Sequence, residues 1–118
     1  MKINQELFPI IYDISKKVYN GTYTLTGGSK IFYEQNGMNT NSARDYINDF
    51  KHLMNGDGFK RTLNAPSMNY LIEQIQKDYA EEQLKKALKA LDLHIKYYES
   101  CHTGKLKKLR QVYSSFQQ

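Results

Sequence analysis

Apolar residues recur along this chain at steps of three and four, the spacing that gathers them on one face of an α-helix. Leu7, Ile10, Ile11, Ile14 and Val18 form the first such stripe, with Lys16 and Lys17 opposite. Pro9 falls in the first turn, where a missing N–H costs least, so a helix is expected from Leu7 to Tyr19, ended by Asn20 and Gly21. Residues 22–25 alternate but are too short a run to make a strand and read as a loop. From Leu25 to Asn55 the pattern predicts two helices meeting at a tight turn, the outline of a helix-turn-helix. Thr26 is the expected cap of the first, Ile31 and Phe32 point inward, and Asn36-Gly37 ends it, because glycine takes positive φ without steric cost. Asn39 or Asn41 caps the second, in which Ala43, Tyr46, Ile47, Phe50 and Met54 recur at helical spacing.

Gly56-Asp57-Gly58 then marks a turn, and Asn64 with Pro66 opens a helix carrying Met68, Leu71, Ile72, Ile75 and Tyr79. The longest stretch, Ala80 to Ser100, sets Leu84, Leu88, Leu91, Ile95 and Tyr98 along a narrow seam. Gly104 breaks the chain before a last helix, Lys105 to Phe116, with Leu106, Leu109, Val112, Tyr113 and Phe116 apolar. The expectation is an all-α protein: a compact bundle of five or six helices containing a helix-turn-helix-like pair, in a single domain over residues 1–118.

Composition narrows the classes. Cys101 is the only cysteine, so neither a disulfide framework nor a zinc cluster is expected, which points to a reducing cytoplasm. No run approaches the eighteen or so apolar residues of a membrane span, and no signal-peptide core is visible at the N-terminus. The charge is one-sided. From Met1 to Gly58 six Lys/Arg meet six Asp/Glu, while from Phe59 onward eleven meet six, which supplies the whole net +5. An excess of that sign points towards polyanions.

Catalytic chemistry is not expected. His52 falls on the polar face of the third helix, His94 at the edge of the long seam and His102 just past it, with no shared metal spacing. Cys101 beside His102 resembles a nucleophile and base, but adjacent helical residues point apart. Neither a cofactor nor a metal is implied. Candidate nucleic-acid contacts fall into three groups. On the third helix Asn41, Arg44 and Asn48 are placed to meet base edges, although Asp45 and Asp49 cancel Arg44 and Lys51, and Tyr33 is bulky where a reading pair wants a small residue. Lys60, Arg61 and Thr62 lead into a capped helix whose free N–H groups favour an anion. Lys105, Lys107, Lys108 and Arg110 form a basic cluster with no acid in their helix. Tyr97 and Tyr98 cannot both face inward, and the outward one is a candidate stacking platform or a cover for the seam.

Three blocks taken together, SARDYI (Ser42 to Ile47), KRTLNA (Lys60 to Ala65) and HIKYYES (His94 to Ser100), resemble the N-terminal helical region of bacterial HNH-type endonucleases, the 5-methylcytosine-specific restriction enzymes. The resemblance spans Leu7 to about Tyr113. It implies a DNA-contacting targeting module, either part of a longer chain in which a nuclease domain follows or standing alone, and it carries over no catalysis. Through the matching blocks it implies roles for Ser42, Arg44, Lys60, Arg61, Thr62 and Asn64. The expected function is therefore binding of duplex DNA in the service of a restriction-like endonuclease. The alternative is a protein–protein interaction or dimerisation module of a bacterial or phage protein.

Overall fold

A computed structural model describes residues 4–37 and 39–117. It is all-helical, with no strand among the described residues. A 3-10 turn at Gln5–Leu7 precedes six α-helices: α1 (Phe8–Tyr19), α2 (Leu25–Asn36), α3 (Thr40–Asn55), α4 (Ala65–Asp78), α5 (Glu81–Cys101) and α6 (Lys107–Phe116). Contacts group them into two units, Met1–Lys51 and His52–Gln118, the division falling inside α3.

In the first unit α1 packs through aromatic rings. Phe8 approaches Tyr46 at 6.5 Å, and Tyr12 and Tyr19 both meet Phe50 edge-on, at 5.6 and 5.9 Å. These contacts turn the helix away from its expected stripe: Phe8, Ile11, Tyr12, Ile14 and Ser15 are buried, and Ile10 is exposed. The stripe shifts because large aromatic side chains bury more apolar surface than the aliphatic residue they displace. Ser15, buried among them, donates its hydroxyl to the Ile11 carbonyl one turn back.

The cap of α2 is Thr24 and not Thr26; the Thr24 hydroxyl oxygen accepts from the Gly27 N–H at 2.9 Å. At Gly28 α2 comes close to its neighbours. A Cβ there would lie 2.8 Å from a Val18 methyl and 3.0 Å from one of Ile14. The small residue that lets these helices approach is thus Gly28, while Tyr33 points outward to solvent. Gly37 closes α2 at φ 69°, its N–H bonded to the Tyr33 carbonyl, as expected of an αL terminus. Asn39 then turns the chain into α3, its side chain accepting from the Asn41 N–H at 2.7 Å.

The second unit is built on α4, α5 and α6. Its core holds Met68, Leu71, Ile72 and Ile75 from α4, Ala87, Ala90, Leu91 and Ile95 from α5, and Leu109 and Val112 from α6. The buried face of α5 is rotated from the expected seam. Leu84, Leu88 and Tyr98 are only half-buried, and His94 is fully buried where an edge position was expected. A stripe two leucines wide would serve a coiled-coil partner; two alanines and a histidine suit close neighbours on several sides.

Glu99 joins α5 to α6. Its carboxylate accepts the Leu106 N–H at 3.0 Å and holds the Arg110 guanidinium in a two-point grip, with Nε at 2.9 Å. Helix α6 accordingly starts at Lys107, two residues later than the pattern suggested, with the Leu106 N–H fixed from outside the helix.

Candidate nucleic-acid interface

The segment between α3 and α4 is polar and glycine-rich, yet one of its residues is an anchor. Phe59 is 3% exposed and lies flat on the His94 imidazole, ring centres 4.2 Å apart. His94 holds the same segment by both nitrogens: Nδ1 is 2.6 Å from the Phe59 carbonyl oxygen and Nε2 is 3.0 Å from the Thr62 hydroxyl. A carbonyl can only accept, so Nδ1 carries the proton, and Nε2 of the neutral ring accepts from the Thr62 hydroxyl. Burial lowers the pKa of His94, against an upward pull from the Phe59 carbonyl, which keeps the ring in that neutral form near pH 7. The histidine expected to be incidental therefore sets the path of Lys60, Arg61 and Thr62.

Beyond Thr62 the chain enters α4. The Asn64 side chain accepts from the Ser67 N–H at 2.9 Å, and Pro66 occupies the first turn. Facing this helix start is the start of α6. A groove of about 420 Å³ lies there, lined by Thr62, Leu63, Asn64 and Ala65 on one side and by Lys105, Leu106, Lys107, Lys108 and Leu109 on the other. Three lysines line it and no carboxylate does. Two of the three candidate groups, more than forty positions apart in the chain, thus meet at one surface. Lys60 and Arg61 are exposed just before it, with Lys60 Nζ 5.8 Å from the centre of the Tyr97 ring.

Arg110 belongs to the same cluster in sequence, but its guanidinium is committed to Glu99. The Arg110 hydrogen bond, helped by the Leu106 N–H, holds the Glu99 carboxyl down to about 2, so the pair stays ionised at neutral pH. The basic groove consequently presents lysines, while Arg110 is held in its bond to Glu99.

The third group lies in the first unit. Arg44 donates from Nη2 to the Thr26 hydroxyl at 3.1 Å, so the threonine expected as a cap serves instead to steady this side chain. Asn41 is exposed and Ser42 half-buried. Asn48 lines a second groove of about 340 Å³ with Val18, Tyr19, Tyr23, Thr24, Leu25, Ile47 and Lys51. Asp49, counted above as a surface charge, is 1% exposed; burial and the neighbouring Asp45 push its carboxyl up to about 8. It is mostly protonated at neutral pH, so α3 loses one of the two anions set against Arg44 and Lys51.

Cys101 is exposed at the end of α5, and His102 folds back on the helix. The imidazole Nδ1 lies 3.0 Å from the Tyr98 carbonyl and the ring stacks on Tyr98 at 4.0 Å. That arrangement caps a helix C-terminus and does not present a base to the thiol. Among the described residues no three His, Cys, Asp or Glu side chains are grouped to hold a metal ion.

Sequence reasoning missed Phe59, His94 and Glu99. Phe59 carried a signal, being the one aromatic residue in a segment of mostly glycine and polar side chains. Glu99 carried a weaker one, an acid in the last turns of a helix followed by four basic residues. No protein-family model, curated protein or solved structure matches this chain, so its likeness to HNH-type endonucleases rests on the three sequence blocks alone.

Proposed function

We propose that the chain is a DNA-binding module, without catalysis of its own, that holds phosphates of the backbone in the groove between the starts of α4 and α6. One observation carries this reading: Lys105, Lys107 and Lys108 are brought opposite the Thr62–Ala65 segment with no carboxylate in the lining. Three ammonium groups around a concave surface attract a polyanion, and the opening turn of a capped helix adds oriented dipoles of the right sign. The second unit carries eleven Lys/Arg against seven Asp/Glu, so most of the positive excess lies on the unit that holds the groove. Service to a restriction-like nuclease, and residence in the cytoplasm, belong to the same proposal. No helix among the described residues is long and apolar enough to cross a membrane.

The test is fluorescence anisotropy with labelled DNA at several salt concentrations. With about five phosphates contacted, log K falls against log[salt] with a slope of roughly −4 to −5. Replacing Lys105, Lys107 and Lys108 together by Ala should flatten that slope by about two to three units. Absence of binding at low salt would remove the proposal.

A second reading, a protein-interaction module, is favoured by a different surface. A groove of about 530 Å³ is lined by Leu84, Leu88 and Phe116 with Gln76, Glu81, Lys85 and Gln117. Partner binding there would be nearly insensitive to salt, because it rests on apolar contact.

A further inference from the structure

The glycine-rich segment does more than connect α3 to α4; it runs along the outside of α5. A Cβ on Gly56 would lie 3.5 Å from the Lys86 side chain, and one on Gly58 3.1 Å from Leu93 Cβ. Two residues further on, Lys60 reaches the Tyr97 ring. Alternate residues of the segment thus meet Lys86, Leu93 and Tyr97 in order, while Phe59 turns inward to His94. This ordered contact leaves a stripe of unusual composition on the surface. Leu93 and Tyr97, one turn apart on α5, are 40% and 41% exposed, and Lys60 and Lys89 are exposed beside them. Lys96 is on the same side of the helix but is engaged with Asp92 at 2.9 Å.

We propose that this stripe takes a single-stranded segment of nucleic acid, one unpaired base stacking on Tyr97 while Lys60 meets its phosphate. The proposal rests on the nucleic-acid reading above and adds the strandedness of the ligand, which departs from the duplex expected from sequence. In a duplex the base faces are covered by their neighbours, so an exposed tyrosine ring finds a stacking partner only where bases are unpaired. An aromatic ring with a cation 5.8 Å from its centre and further lysines nearby is the combination that tracks single strands with little sequence preference. Lys60 and Thr62 belong to the same short segment, so Tyr97 and the lysine groove are approached from one stretch of chain. The His94 and Phe59 anchor keeps that stretch in place before any ligand arrives, which limits the ordering cost of binding.

The experiment compares a labelled oligothymidylate of about 15 nucleotides with a duplex of the same length at one low salt concentration. Wild-type protein, Tyr97→Ala and Tyr97→Phe are measured by anisotropy. The expected result is tighter binding of the single strand by wild type, a loss of about tenfold on it for Tyr97→Ala, and little change on duplex. Tyr97→Phe, which keeps the ring, should retain single-strand binding. Equal losses on both ligands, an unaffected Tyr97→Ala, or a preference for duplex would each overturn the proposal while leaving backbone binding intact. If wild type binds neither ligand, the underlying nucleic-acid reading fails, and the proposal fails with it.

Discussion

At Asp49 the fold holds a carboxyl group at 1% exposure with Oδ2 given no hydrogen-bond partner, and Asp45 lies one turn back on the same helix. Both features disfavour the charged form, so the folded protein keeps a proton to about pH 8 that the unfolded chain releases near 3.8. Between those values the native state binds more protons than the unfolded state, and unfolding becomes easier as pH rises. The contribution is complete below the unfolded value and is lost by the time pH passes the folded one. The slope from a single such group approaches about 1.4 kcal/mol per pH unit. Asp49→Asn, neutral at every pH and close in shape, should flatten the decline and leave the variant more stable than wild type at pH 8. Urea unfolding at pH 5, 6, 7 and 8 measures this; parallel curves for the two proteins would refute it. Glu99 has the opposite sign. Its carboxyl is depressed to about 2, so what it contributes is present at neutral pH and is lost only as pH falls below 4.5 towards 2.

Among the elements, α5 shows how much of the fold the sequence carried. Its length and helical state followed from an unbroken helical period, and the six-helix, all-α character followed from the same signal repeated along the chain. Its buried face did not. Leu84 and Leu88 outrank Ala87 and Ala90 in apolar area, so periodicity selected them, whereas packing on several sides selected the small residues and His94. Periodicity finds a stripe but is silent on how closely neighbours approach, and for the same reason it gives no sign of the close contact at Gly28. The candidate site was legible as three separate basic or polar groups. That two of them converge depends on the tertiary pairing of α4 with α6, which no local pattern encodes. The stability prediction follows the observed face. Leu91→Ala removes a fully buried side chain and should cost about 2–5 kcal/mol, whereas Leu88→Ala, at a half-exposed position beside the apolar groove, should cost about 1 kcal/mol. Denaturant midpoints rank the pair, and equal losses would return the core to the leucine seam.

Over the whole chain the two candidate DNA surfaces lie in different units, so substitutions separate them cleanly. The first unit has six Lys/Arg against five Asp/Glu, with one of the acids, Asp49, mostly neutral near pH 7. Its Arg44 is steadied by Thr26, which suits a side chain that reads a base edge, but few cations surround it. The second unit offers Lys60 and Arg61 on a segment fixed by His94, next to the three-lysine groove. Phosphate binding adds with the number of cations and is indifferent to sequence; base reading needs few contacts and discriminates. Lys60→Ala with Arg61→Ala should therefore weaken binding to a preferred and a scrambled DNA of equal length alike, and flatten the salt slope by up to about two units. Arg44→Ala should change either ligand little. If Arg44→Ala instead loses about 1–3 kcal/mol on the preferred sequence alone, and the double variant binds as wild type does, α3 is the reader and the groove is not the site.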